Sequence, residues 1–274
     1  MRRILSLFGA VLGMATCATT ASAQDVVPRD MYQERIVQDN KITFCYNGFS
    51  MMSEFEQDLA RAIGDVLLAE TELFTYQEGD FQTLPTLYDY RIPIVPDQVF
   101  VLLAQNCSAM MGYVISPVAP EWMKLTRPYL SSNAVLFSDD PQIKSPSDLT
   151  GDVRIGARVS SPGDAQLISY TGGNKAWKRI PYANNGLLID RVLDGTNDLG
   201  MMWEHGFTFA NHELGGKLHK LDSLPFNARS VELAIATRSQ DGYLNDMLSE
   251  AIAALQADGT IDALFAKHNM LPEN

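Results

Sequence analysis

VELAIATR, residues Val231–Arg238, is an extended apolar run that belongs to no local strand–helix repeat. Two helices at the end of the chain follow it, Tyr243–Gln256 and Ile261–His268, split by Asp258-Gly259. Upstream lies a complete α/β series. Val153–Gly156 reads as a strand, and Ser160, Ser161 and Pro162 open a helix that runs through Tyr170 and stops at Gly172-Gly173. Pro suits the first helical position because its missing N–H has no partner there, and Ser suits the cap. Strand Trp177–Pro181, helix Leu187–Leu193, strand Asp198–Trp203 and a short helix His205–His212 complete that series. An earlier extended run, Asn133–Phe137, separates it from a first series. That one consists of strand Lys41–Tyr46, a helical stripe Phe55, Leu59, Ala62, Ile63, Val66 and Leu67 with Ser53 as its cap, strand Leu73–Tyr76, a stripe Val99, Leu102 and Leu103, and strand Ala109–Ile115. Strand–helix–strand repeats give parallel sheets with crossover helices. The order therefore predicts an α/β protein of two lobes: the chain builds one, crosses to the other, and returns through Val231–Arg238. Lobe one is 41–133 plus 231–274 and lobe two is 134–230, joined by two crossing strands that can hinge about a ligand cleft.

Outside the lobes, Arg2 and Arg3 precede an apolar stretch Ile4–Met14 that ends in Ala21-Ser22-Ala23. A charged start, a short apolar middle and a small-residue exit describe a secretory signal peptide over residues 1–23, followed by a flexible lead-in at 24–40. The apolar run is too short to span a bilayer, so no membrane insertion is expected after cleavage. The 274-residue chain has 21 Lys+Arg against 33 Asp+Glu, a net charge of −12 that becomes more negative once the two leader arginines are removed. Nucleic-acid partners need a basic patch, and no Lys/Arg cluster exists.

Export places the two remaining cysteines, Cys45 and Cys107, in an oxidising compartment, where they read as a disulfide or as two buried thiols. They supply too few ligands for a metal site. His205, His212 and His219 recur every seven residues, but Gly206, Gly215 and Gly216 interrupt a helix that would align them, so they read as surface or loop histidines. No nucleophile elbow, P-loop or dinucleotide fingerprint is present. Glu54, Glu56 and the Glu204–His205 pair read as solvated charges, so no catalytic residue and no cofactor are expected.

The residues also carry a resemblance. Val231–Arg238 with Tyr243–His268 resembles the C-terminal end of family-3 periplasmic solute-binding proteins, Thr126–Phe137 (TRPYLSSNAVLF) their passage into the hinge, and Ser147–Ala157 (SDLTGDVRIGA) their second-lobe start. The resemblance implies a type II periplasmic binding protein-like fold of two Rossmann-like lobes, a periplasmic location, a small-molecule ligand in the cleft, and an ABC permease as partner. Cys45, Asn106–Gly112 (NCSAMMG), Thr126–Tyr129 and Asp198–Trp203 (DLGMMW) are similar to the quinoprotein-dehydrogenase-associated, methanol-oxidation J-type branch. That branch implies a second role, as accessory protein of a periplasmic quinoprotein (pyrroloquinoline-quinone-dependent) dehydrogenase.

In parallel α/β sheets, ligands sit beyond the carboxyl ends of strands. Here those ends carry Tyr46, Asn47, Tyr113, Trp122, Arg158, Ser160, Ser161, Trp203 and Glu204, the candidate ligand-binding residues. The amino-acid receptors of the family place an Arg shortly after the third strand to hold the α-carboxylate. This chain has Ser116–Trp122 (SPVAPEW) there, and Trp203 where those receptors carry the acid that meets an α-amino group. A carboxylate buried without a cation is strongly penalised, so the expected ligand is not an ordinary α-amino acid. Arg127 or Arg158 is left as the substitute for that Arg, although Arg127, within TRPY, reads first as a hinge residue.

Overall fold

The computed structural model describes residues 40–48, 50–76, 96–116, 118–173, 176–228 and 230–272. The expected signal peptide at 1–23, most of the expected lead-in, the Pro- and Tyr-rich stretch before Pro96, and Pro117 lie outside the described residues.

Two mixed sheets form the frame. In chain order the first series consists of β1 (Lys41–Asn47), α1 (Ser53–Val66), β2 (Glu70–Tyr76), α2 (Pro96–Gln105) and β3 (Ala109–Val114), followed by two short strands, β4 (Met123–Leu125) and β5 (Leu130–Ser132). The second series is β6 (Ala134–Ser138), β7 (Val153–Arg158), α3 (Pro162–Thr171), β8 (Trp177–Tyr182), α4 (Asn185–Leu193), β9 (Leu199–Trp203), α5 (Glu204–Glu213) and β10 (His219–Lys220). The chain closes with β11 (Val231–Arg238), α6 (Gly242–Ala257) and α7 (Thr260–Lys267). Sheet one runs β2-β1-β3-β11-β4, with β5 also on β11, and sheet two runs β10-β6-β9-β7-β8. The chain thus passes from sheet one to sheet two at Asn133, between β5 and β6, and returns on the way to β11.

Period-two alternation sorts the strand side chains onto two faces of each sheet. Ile42, Phe44 and Tyr46 of β1 join Phe55, Leu59 and Ile63 of α1, Leu248 and Ile252 of α6, and Phe265 of α7 in one core cluster. Cys45, on the opposite face, joins Met110, Val99, Leu102 and Leu103 in a second. In β6, Val135 and Phe137 pack with α4 and α5, whereas Ala134 and Leu136 pack with Leu167 of α3. Close approach of strand and ring explains Gly200: it lies opposite Phe137, and any side chain there would strike that ring.

Cys45 and Cys107 are disulfide-bonded, with Cα atoms 5.6 Å apart. The bond ties β1 to the turn before β3 under α2, and settles the choice between a disulfide and two thiols. Ser53 does not cap α1. Met52 holds the cap position with no side-chain bond, and Ser53 is the first helical residue. The three-residue strands β4 and β5 and the two-residue β10 went unrecognised because they are too short to display a period. Gly206, expected to break a helix, lies inside α5.

Candidate functional site

Strands β1, β2 and β3 are parallel, as are β7, β8 and β9, so their carboxyl ends share one edge of each sheet. On sheet one, that edge does not gather the candidate aromatics into one wall. Tyr46 is buried in the cluster under α1, and its hydroxyl accepts a 2.6 Å bond from Thr75 Oγ1. Asn47, half-buried, ends β1. Tyr113 and Trp122 are also half-buried but pack on the other face, against the cystine cluster, where Trp122 meets Phe100 edge-on at 5.2 Å. Burial raises the Tyr113 hydroxyl above its ordinary pKa.

On sheet two the edge is more ordered. Arg158 ends β7, and Ser160 adopts φ +58, a left-handed conformation rare outside glycine. Ser161 caps α3 by accepting the Asp164 N–H at 3.0 Å, and Pro162 follows at the first helical position. Asp164, almost wholly buried, accepts the Ser160 N–H at 3.0 Å and pairs with Arg179 through both guanidinium Nε and Nη2, the latter at 2.7 Å. The carboxylate raises the Arg179 pKa further. The amino end of α3, a natural anion seat, thus already holds an internal carboxylate. Trp203 ends β9 and packs toward the α3-side cluster. Glu204 opens α5 and is ion-paired to Lys220 at 2.7 Å.

Three residues important here were not among the sequence candidates. His205 is half-buried on the first turn of α5, not a free surface histidine. Its Nδ1 lies 2.8 Å from Ser132 Oγ of β5 and its ring 4.8 Å from Phe265 of α7, and burial lowers its pKa. Met51, in the turn after β1, packs against the sheet-two cluster and accepts a 3.3 Å contact from Asn185 Nδ2 at the start of α4. Glu56, read as a solvated charge, is buried and only 3% exposed. A signal existed for Glu56: it follows the buried Phe55 and precedes Leu59 and Ala60 on one helical face. Nothing local marks His205 or Met51, whose partners lie 73 and 134 residues away. Arg127 is exposed, and its N–H binds Ser249 Oγ of α6 at 3.2 Å. Among the described residues no cluster of side chains suits a metal, and no helix is long and apolar enough to cross a membrane.

No protein-family model matches the chain, and no curated protein does. Solved structures do. The second substrate-binding domain of a putative amino acid ABC transporter from Streptococcus pneumoniae superposes with a TM-score of 0.62 at 17% identity, over 84% of this chain and 100% of that one. This is the fold of a type II periplasmic binding protein. The periplasmic VFT2 domain of Bordetella pertussis BvgS gives a TM-score of 0.64 at 12% identity, covering 87% of this chain and 97% of that one. An ancestral amino-acid-binding protein, a precursor of cyclohexadienyl dehydratase, gives 0.61 at 18%, covering 87% and 99%. The type II architecture puts two sheets and a double chain passage together, as the order of elements predicts. At these identities the likeness concerns the fold.

Proposed function

We propose that this protein is an exported periplasmic solute-binding protein that captures a small molecule between lobe one (41–133 plus 231–274) and lobe two (134–230) for an ABC importer, without catalysing a reaction. The observation that carries this reading is the type II fold with two passages of chain between its sheets. Its seat draws on Asn47 on lobe one and Arg158, Ser160, Ser161, Trp203 and Glu204 on lobe two; of the remaining candidates, Tyr46 is packed under α1, and Tyr113 and Trp122 pack on the opposite face of sheet one. The ligand differs from an ordinary α-amino acid. Ser116–Trp122 contains no Arg. At α3, Pro162 has no N–H to give, and the Ser160 N–H is taken by Asp164. Glu204, the acid nearest the place of an α-amino partner, is engaged by Lys220.

A second reading, accessory protein of a periplasmic quinoprotein dehydrogenase, is favoured by one feature, the cystine at the positions of the J-type resemblance. A thermal-shift panel of amino acids, amines, alcohols, polyols and small acids separates the two. A captured solute at about a hundred times its Kd stabilises the folded state by about 2.7 kcal/mol. Saturable stabilisation by a solute outside the amino acids supports the proposal. Stabilisation by an α-amino acid overturns its ligand class. Silence across the panel together with co-purification of a quinoprotein replaces it by the accessory reading.

A further inference from the structure

Glu56 stands in the first turns of α1 with its carboxyl turned into the protein. The Tyr129 hydroxyl donates to Glu56 Oε1 at 3.1 Å and itself accepts the Gly112 N–H at 2.9 Å. Gly112 has φ +74 and is exposed, and a Cβ on it would come within 2.7 Å of Glu56 Oε1, so only glycine fits above the carboxyl. It sits in an irregularity of the β3–β11 ladder. Ala234 faces Tyr113 and Ala236 faces Met110, so Met111 and Gly112 together face Ile235. This is a bulge with a left-handed glycine, a device that bends a strand locally.

The bulge lies at the root of both passages between the sheets. Tyr129 immediately precedes β5, the way out, and its N–H binds Leu233 O of β11, the way back, at 2.9 Å. Ile235, opposite the bulge, exchanges 3.0 Å bonds with Thr126 through both its N–H and its carbonyl. One carboxyl, through one phenol, thus connects α1, β3, β5 and β11.

We propose that Glu56 is a proton-binding site that fastens this root: as the neutral acid it accepts the Tyr129 hydroxyl and leaves the bulge closed, and on releasing its proton to solvent it draws water in beside Gly112 and loosens the bulge. The physical cause is desolvation. An ionised carboxylate without a cation is costly in an apolar surround, and the exposed glycine is the thin side of the enclosure. No cation pairs with Glu56 among the described residues, and burial raises its pKa from 4.5 to about 7 against the smaller effect of the Tyr129 bond. Among the described residues, the Gly112 amide comes from β3, Tyr129 from the segment leading into β5, and Tyr76 of β2 acts electrostatically on Tyr129. On α1 itself, Asp58 is held by Lys267 and His268, and the exposed Glu54 lies 3.8 Å from His268 Nδ1. The proposal stands apart from the solute-binding reading, since it concerns the root of the passages whether or not a solute binds.

The test combines a carbon-detected NMR titration of the Glu56 carboxyl with amide exchange at Gly112 and Tyr129, corrected for intrinsic rate. The expected midpoint is near the value of about 7. Between about pH 5.5 and about pH 8.5, protection at both amides is expected to fall roughly tenfold or more. Glu56→Gln, which keeps an acceptor for Tyr129 without the charge, is expected to hold the low-pH protection throughout. Tyr129→Phe is expected to leave Gly112 unprotected at either pH. A carboxyl midpoint near 4.5, pH-independent protection in the unaltered protein, or the same pH-dependent loss in Glu56→Gln overturns the proposal. The first two measurements need no variant, so a misfolded substitution does not spoil the decision.

Discussion

Asp164 and Glu56 are both buried acids in different surroundings. Asp164 has Arg179, the Ser160 N–H and the first turn of α3 around it. Breaking such an ensemble from one side leaves a partly buried cation without its partner. Asp164→Ala is therefore expected to cost about 2–4 kcal/mol, seen in urea unfolding as a lower midpoint at unchanged slope. Glu56 has no cationic partner among the described residues, and its folded pKa of about 7 lies above its ordinary 4.5. The folded state therefore holds this proton more tightly than the unfolded chain. The associated stability is fully present below about pH 4.5 and lost as pH rises through about 7. That loss amounts to roughly 3 kcal/mol, so Glu56→Gln is expected to unfold at higher denaturant than the parent at pH 8 and to lose most of that advantage near pH 4.5. Equal pH dependence in the two proteins contradicts the assignment.

Between elements, the cystine is the one covalent tie. It joins β1 to the start of β3 across 62 residues, a span that includes α1, β2 and α2. A loop of that size restricts the unfolded chain by about 4 kcal/mol on the chain-entropy account. Reduction, or the double change Cys45→Ala with Cys107→Ala, is expected to lower the unfolding midpoint accordingly, measured with and without reductant. The effect should be largest in amide protection of α2, whose Val99, Leu102 and Leu103 rest on the cystine cluster. α5 is placed differently: Phe207 and Ala210 face the sheet-two core, while His205 and Phe209, one turn apart, face Phe265 and the sheet-one core. Such a two-sided helix couples the sheets without belonging wholly to either.

For the molecule as a whole, side-chain contacts among the described residues also reach from one sheet's elements to the other's. Met51 of the β1–α1 turn meets Asn185, and His205 of α5 meets Ser132 and Phe265. If the lobes hinge as proposed, opening must break the Met51 contact, whereas His205 sits beside the passage itself. Met51→Ala is expected to increase the radius of gyration in small-angle scattering and to speed amide exchange at Asn185 and Gly206, with little change in unfolding midpoint. An unchanged radius would show that Met51 does not hold the lobes together.

The residues of this chain dictate a good deal through local patterns alone. The extended apolar runs at Val231–Arg238 and Asn133–Phe137, the helical stripe of α1, and the Ser161-Pro162 start of α3 all emerge where expected, because apolar runs, periodicity and capping depend on near neighbours in the chain. The order of those elements is enough to call for two sheets and two passages. What stayed hidden depends on distance along the chain. Strands β4, β5 and β10 exist because β11 and β6 offer them edges. Glu56 looked like a surface charge until Tyr129, 73 residues later, closed over it. Tyr46 and Tyr113, both near strand ends, fell on opposite faces of one sheet. A side chain's partners across the fold set its burial, its protonation and its company, and no local spacing records them.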